Sequence, residues 1–248
     1  MVHPGGKLHA GRVVHVAPEL DVIVERVTER RTRIVRLQTS LRLDEAIELF
    51  GHIPLPPYLD RPDASEDADR YQTVYARDTG SVAAPTAGLH FTPELLGNLA
   101  ARGVRRIDLL LHVGAGTFKP VESEDPALHV MHEERYEVDR RAADAFNATR
   151  DASHRIWAVG TTSARTLETV ASAGGRLAAA SGETRLFIRP GYDFRAVDRL
   201  ITNFHLPRST LLMLVAAFAG YDLTMEAYRV ALAQHYRFYS YGDAMLIL

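Results

Sequence analysis

Histidine exchanges protons near neutral pH more readily than any other side chain. In this sequence His90, His112 and His205 each stand where an apolar run gives way to a polar turn. His90 lies in Ala84-Pro85-Thr86-Ala87-Gly88-Leu89-His90-Phe91-Thr92, just ahead of a helix start. His112 ends the apolar run before Val113-Gly114-Ala115-Gly116-Thr117, where Gly114 and Gly116 let a ligand approach the backbone closely. His205 follows Thr202-Asn203-Phe204 and precedes Leu206-Pro207-Arg208-Ser209. A fourth segment, Val159-Gly160-Thr161-Thr162-Ser163-Ala164-Arg165, runs from a buried strand into a hydroxyl-rich helix cap. Free N–H groups at a helix start suit a carboxylate or phosphate. In a fifth, His129-Val130-Met131-His132-Glu133-Glu134-Arg135-Tyr136, two histidines and a glutamate within six residues could ligate a metal or form an acid–base cluster, although the spacing is not that of H-E-x-x-H zinc sites. Each feature also has a plainer reading: a strand-end histidine is usually a hydrogen-bonded structural residue, G-x-G a tight turn, Thr-Thr-Ser only a cap. Repetition argues against the plain reading, because the three histidines fall at the same topological edge of successive strand–helix units.

The elements that must position these groups can be read from the pattern. Short β-branched runs at Val13–Val16, Val22–Val27 and Ile34–Leu37, punctuated by Gly11 and Pro18, predict a small antiparallel sheet or barrel. Leu43, Ile47 and Phe50 share one helical face that Gly51 ends. Pro54, Pro56, Pro57 and Pro62 exclude regular structure, which places a domain boundary between residues 1–51 and 52–248. Thr92 caps a helix begun by Pro93, and Asp139 caps another running to about Ala152. Strands are expected at Val104–Val113, Ile156–Val159, Leu186–Ile188 and Leu200–Phe204, and helices at Ser163–Ala173, Ser209–Ala219 and Thr224–His235. That alternation predicts an α/β domain with a mainly parallel sheet, whose reacting groups sit at the carboxyl ends of the strands.

Composition narrows the chemistry. The chain has 248 residues, 46% hydrophobic and 24% charged, enough for a real core and too apolar for disorder. It contains no cysteine, which excludes disulfides, thiolate metal sites and a cysteine nucleophile. The net charge of −2 argues against a general nucleic-acid coat but permits local basic patches such as Arg30–Arg36 or Arg102–Arg106. Lysine occurs only at positions 7 and 119 among 29 basic residues. Residues 1–12 hold no apolar signal region, and the apolar run Ser209–Tyr221 is too short to span a bilayer, so a cytoplasmic protein is expected.

Taken in order, the segments resemble the S-adenosylmethionine:tRNA ribosyltransferase-isomerase family of queuosine biosynthesis. The series includes Ile53-Pro54-Leu55-Pro56-Pro57-Tyr58, Tyr71-Gln72-Thr73-Val74-Tyr75, Ala84–Thr92, Leu111–Phe118, Met131-His132 with Glu134 and Tyr136, and Gly160–Glu168. It continues through Pro190-Gly191-Tyr192, Thr202–Leu214 and Tyr236–Ile247, covering nearly everything from His52 onward. The resemblance implies a distorted TIM-like barrel with a smaller antiparallel β-barrel domain. It also implies a portion upstream of Val2-His3-Pro4-Gly5 that this chain lacks, so the small domain is expected to be incomplete.

The implied reaction moves the ribosyl part of S-adenosylmethionine onto 7-aminomethyl-7-deazaguanine at the tRNA wobble position. It isomerises that part to an epoxycyclopentane and releases adenine and methionine. A sulfonium acidifies the neighbouring ribose carbon, so a base must take that proton, and adenine departure needs a proton donor. His90, His112, His132 and Glu134 are the candidates for these roles. Gly114, Gly116 and Thr117 line the approach. The methionine carboxylate would rest on Thr161, Thr162 and Ser163, with Arg165 as its partner, and Asn203, His205 and Ser209 would complete the wall. Tyr239, Tyr241 or Phe238 would stack an unpaired base of the anticodon loop. The implied partners are tRNA and S-adenosylmethionine as co-substrate, with no metal, no further cofactor and no membrane, on a monomer. Two other readings are a metal hydrolase using His90, His112, His132 and His205, and a non-catalytic tRNA-binding remnant.

Overall fold

The computed structural model describes residues 5–28, 32–114 and 131–248. The chain divides into two compact units: Met1–Pro57 with Arg61–Asp63, and Tyr58–Asp60 with Ala64–Leu248.

In the first unit, β1 (Val13–Ala17), β2 (Leu20–Val27) and β3 (Arg33–Thr39) form an antiparallel sheet in the order β1-β2-β3. The β-branched runs pair as their alternation demands: Val14 faces Val22, and Val24 faces Val35. Leu20 and Val24 are buried, while Val16, Val27 and Val35 stay exposed. Helix α1 (Leu43–Phe50) follows, and within it Ala46 is buried while Leu43 and Ile47 are more than half exposed. The helix is where its period puts it, but its apolar stripe is largely uncovered.

The second unit carries α2 (Asp67–Arg70), α3 (Pro93–Ala101) and α4 (Arg140–Asp151), then α5 (Thr161–Val170), α6 (Thr210–Ala219) and α7 (Tyr221–Ala233). The caps expected at Thr92 and Asp139 are present, and Ser209, expected as the first helical residue, is a cap as well. The Thr92 hydroxyl accepts from the Leu95 N–H at 3.1 Å, the Asp139 carboxylate from Ala142 at 2.6 Å, and the Ser209 hydroxyl from Leu212 at 3.1 Å.

The strands of this unit are β4 (Leu110–His112), β5 (Glu134–Val138), β6 (Trp157–Val159), β7 (Ala180–Thr184), β8 (Arg199–Asn203) and β9 (Ala244–Ile247). They form two three-stranded sheets, β4-β5-β7 and β6-β8-β9. Only β6 and β8 run parallel among the described residues; the other pairs are antiparallel. The mainly parallel sheet predicted from strand–helix alternation is therefore corrected to a mixed α/β arrangement of small sheets.

The reason lies in strands the apolar pattern does not mark. In β5, Glu134, Arg135 and Glu137 occupy most positions, and β7 reads Ala-Ser-Gly-Glu-Thr. Antiparallel strands tolerate such polar faces, whereas buried parallel ones do not. Two expected strands change accordingly. Val104–Val113 is strand only over Leu110–His112. Leu186–Ile188 is not a strand: the Leu186 carbonyl accepts from Arg165 Nε at 2.8 Å instead of joining a ladder. The core of the unit gathers Val138, Phe146, Ile156, Ala164, Leu167, Ile188, Leu200 and Leu214 between helices and sheets.

Candidate active site

Because β6 and β8 are parallel, their carboxyl ends lie on one edge. Val159 leads into Gly160 there, and β8 ends on Asn203. The Gly160 N–H donates to the Ile201 carbonyl at 2.8 Å, which ties the two strand ends together. Gly160 has φ +89°, a conformation open to glycine, so the chain enters α5 without a connecting loop. Thr161, Thr162 and Ser163 are thus the first helical residues, not the cap that the sequence suggests. No side chain caps α5. Thr161 is buried, and Thr162 and Ser163 are half-buried.

A single-turn 3₁₀ segment, Thr86–His90, packs over this edge: a Cβ on Gly160 would stand 3.8 Å from the Ala87 Cβ. The Tyr75 ring seats the turn from the other side, close enough that a Cβ on Gly88 would run into the phenol oxygen. The Arg106 guanidinium lies 5.7 Å from the centroid of that ring.

Asn203 is buried and joins three segments. Its Nδ2 lies 3.1 Å from His90 Nε2 and donates to the Tyr239 carbonyl at 3.1 Å, while its Oδ1 accepts from the Thr86 hydroxyl at 3.2 Å. Burial pushes the His90 pKa down and Arg237 adds to this, while Asp243 opposes it. Arg237 and Asp243 pair at 3.1 Å on the C-terminal loop. That loop is held by Tyr239, whose φ of +70° is unusual for a non-glycine residue and whose N–H donates to the Phe204 carbonyl at 3.0 Å.

The aromatic residues of the loop are engaged within the protein. The Tyr239 ring packs on Tyr58 with centroids 5.1 Å apart, and Tyr241 on Tyr71 at 5.5 Å. The Tyr241 hydroxyl donates to Asp67 at 2.7 Å, and the Tyr58 and Ser240 hydroxyls share a hydrogen bond.

His205 sits behind this edge. Its Nε2 lies 2.8 Å from the Thr202 hydroxyl, and its backbone N–H donates to the Tyr228 hydroxyl at 2.8 Å. Desolvation pushes its pKa down to about 4, so it is neutral at physiological pH. The Ser209 hydroxyl is used locally: besides capping α6, it donates to the Leu206 carbonyl at 2.7 Å.

The remaining candidates lie on the β4-β5-β7 sheet. The His112 ring is half-buried against Gly80 at the end of β4. Ser81 stitches that end to the irregular segment leading to His90: its hydroxyl donates to the Leu111 carbonyl at 3.0 Å and accepts from the Val113 N–H at 2.9 Å. Gly114 is exposed, His132 is half-buried just before β5, and Gly116 and Thr117 fall outside the described residues. Glu134 and Arg165 are closed on one another, Nη1 to Oε2 at 2.7 Å, both almost fully buried. The base and the carboxylate partner suggested by sequence are thus each other's partners, in a bridge that joins β5 to α5. Among the described residues, no three His, Asp or Glu side chains converge to hold a metal ion.

Sequence reasoning missed Thr86, Tyr75, Tyr228 and the anchoring role of Glu168. The Glu168 carboxylate accepts from the backbone N–H groups of Arg195, Ala196 and Val197 at 3.0–3.1 Å and fixes the turn ahead of β8. Thr86 stands in a recognisable polar turn, but nothing local links it to Asn203.

The family described as Queuosine biosynthesis protein matches residues 1–247. The chain belongs to that family. Two curated members of the queuosine biosynthesis family, each named S-adenosylmethionine:tRNA ribosyltransferase-isomerase, come from Syntrophomonas wolfei and Symbiobacterium thermophilum. They are 52% and 54% identical to this chain over its full length, which spans 71% and 72% of theirs. The crystal structure of S-adenosylmethionine tRNA ribosyltransferase from Thermotoga maritima superposes with a TM-score of 0.55 at 38% identity, covering 99% of this chain and 68% of that one.

Proposed function

We propose that this chain is an S-adenosylmethionine:tRNA ribosyltransferase-isomerase whose chemistry takes place where the carboxyl ends of β6 and β8 meet the Thr86–His90 turn. It transfers the ribosyl part of S-adenosylmethionine to 7-aminomethyl-7-deazaguanine at the tRNA wobble position. It isomerises that part to the epoxycyclopentane of epoxyqueuosine and releases adenine and methionine. The observation that carries this reading is identity above half, over the whole chain, to relatives that bear that name.

The residues divide the work by their surroundings. The uncapped start of α5 offers the N–H groups of Thr161–Ser163 to the methionine carboxylate. Glu134 and Arg165 hold β5 against α5 and so set the angle of that helix start. His112 and His132, both half-buried, are the candidates for taking the proton beside the sulfonium. Tyr239 and Tyr241, braced by Tyr58 and Tyr71, offer a rigid aromatic ledge to a base of the anticodon loop.

The finer architecture belongs to the same proposal. Residues 52–248 form the distorted TIM-like barrel, and residues 1–51 are part of the small β-barrel domain. The protein acts as a cytoplasmic monomer without metal or further cofactor. Among the described residues no single helix is long and apolar enough to cross a membrane; only α6 and α7 together reach that length, bent by 115°.

Adenine release from S-adenosylmethionine in the presence of tRNA carrying the aminomethyl base tests the reading. Turnover that requires both substrates supports it. Binding of that tRNA without adenine release would replace it with a non-catalytic role. Near-normal turnover in His112→Ala would take His112 out of the proton-transfer scheme.

A further inference from the structure

The hydrogen bonds around Asn203 decide more than a contact. A side-chain amide offers two N–H groups on nitrogen and only lone pairs on oxygen. The Tyr239 carbonyl can only accept, so the nitrogen of Asn203 must face it. With the amide so oriented, its Oδ1 accepts from the Thr86 hydroxyl at 3.2 Å. Reversing the amide would set two oxygens against each other at Tyr239. The second N–H of Nδ2 therefore points at His90 Nε2, 3.1 Å away, and that ring nitrogen must supply a lone pair. A neutral imidazole that accepts at Nε2 carries its proton on Nδ1. Among the described residues no protein group hydrogen-bonds to His90 Nδ1.

We propose that Asn203, oriented by the Tyr239 carbonyl, is a positioning residue that holds His90 as the neutral Nδ1–H tautomer, so that His90 offers the substrate a hydrogen bond rather than a base. This deepens the ribosyltransferase-isomerase reading and rests on it. Protonating Nε2 would press an N–H against the Asn203 N–H, so the imidazolium is disfavoured by geometry as well as by burial. The charged groups facing the ring are Asp243 and Arg237 from the C-terminal loop, which are paired with one another. The elements packed on its turn contribute the Tyr75 phenol and Asn203, neither charged at neutral pH. A neutral donor of this kind stabilises negative charge developing on a departing or rearranging group without giving up its proton. Proton removal then falls to another residue, and the two halves of the acid–base chemistry are separated in space.

Nitrogen-15 NMR of the histidine rings tests this in the intact protein, with His90 assigned among the 11 histidines by comparison with His90→Gln. The expected spectrum at pH 7 shows His90 Nε2 unprotonated and Nδ1 protonated. In Asn203→Asp the new carboxylate accepts only, so the proton should move to Nε2. The His90 pKa should rise by at least one unit, and the acid limb of the adenine-release profile should rise with it. Thr86→Val removes only the donor to Oδ1 and keeps the Tyr239 carbonyl, so the Nδ1–H tautomer should persist. If Asn203→Asp fails to fold, the wild-type tautomer decides alone. Wild-type His90 protonated at Nε2, or a folded Asn203→Asp that leaves tautomer and pKa unchanged, would overturn the proposal. Absence of adenine release by the wild-type protein would instead overturn the enzymatic reading, whatever the ring shows.

Discussion

The β1-β2-β3 sheet and the β6-β8-β9 sheet have the same number of strands and opposite circumstances. In the first, Val16, Val27, Ile34 and Val35 are each about 40% exposed or more, and the strands bind one another mainly through their backbones. In the second, Ala158, Leu200, Thr202 and Asn203 are within 2% of full burial. Polar groups can be held to a single geometry there because water cannot compete for them. The second sheet can therefore fix a side chain: the buried Asn203 amide has one arrangement that satisfies its neighbours, whereas an exposed amide would have many. The larger unit carries exposed ion pairs such as Arg176–Asp151, but it also holds a buried one. Glu134–Arg165 is closed inside the larger unit, while Arg36–Glu25 on the small sheet stands about half exposed on both sides.

The contrast is open to direct attack, and the largest effect should come from the buried pair. Glu134→Ala leaves the Arg165 charge buried and unpaired, which costs about 3–5 kcal/mol. Urea unfolding should show that loss, and a change below about 1 kcal/mol would mean that the bridge is no stronger than a surface pair. Leu200→Ala empties a fully buried site and should cost about 2–5 kcal/mol. Val35→Ala, on a strand position 42% exposed, should cost far less by the same measurement. Equal losses at the two positions would erase the distinction between the sheets.

Acid should act through the larger unit as well. The His205 pKa falls from 6.5 in the unfolded chain to about 4 in the fold. Between those values the unfolded state binds the proton and the folded state does not. Stability is therefore intact above pH 6.5 and declines as the pH falls to about 4, by about 3 kcal/mol in all. His205→Gln should flatten that part of the stability–pH curve relative to wild type, and an unchanged slope would remove His205 as its source.

A further test concerns rates. Gly88→Ala drives a methyl group into the Tyr75 phenol and shifts the turn that carries His90. Adenine release should fall about 100-fold, the loss expected of a displacement near 1 Å, while the fold persists. The smallest effect belongs to the small sheet: Glu25→Ala should change stability by less than about 1 kcal/mol and leave turnover alone.

Much of the fold can be read along the chain where signals are local. The three N-terminal strands, the caps at Thr92 and Asp139, and helices α4, α6 and α7 follow from runs, periods and capping residues. Strands β5 and β7 escape that reading because their stability comes from the partner strand and not from an apolar pattern of their own. The site divides in the same way. Asn203 and the start of α5 lie at strand ends as their pattern suggests, but His90 stands on a 3₁₀ turn with no strand before it and His112 on the other sheet, and nothing in the neighbourhood of Glu134 reveals that Arg165 will neutralise it.

By itself the sequence determined the family and the kinds of chemistry excluded by a chain without cysteine. These depend on residue identity and short spacings, which are properties of the chain. The tertiary structure alone decided which candidates act together: that Asn203 meets His90 across 113 positions, that Arg165 meets Glu134, and that Tyr239 rests on Tyr58. Such pairings depend on hydrogen-bond direction and on exclusion of water, and neither exists until the β6-β8 edge, the Thr86–His90 turn and the C-terminal loop have closed on one another.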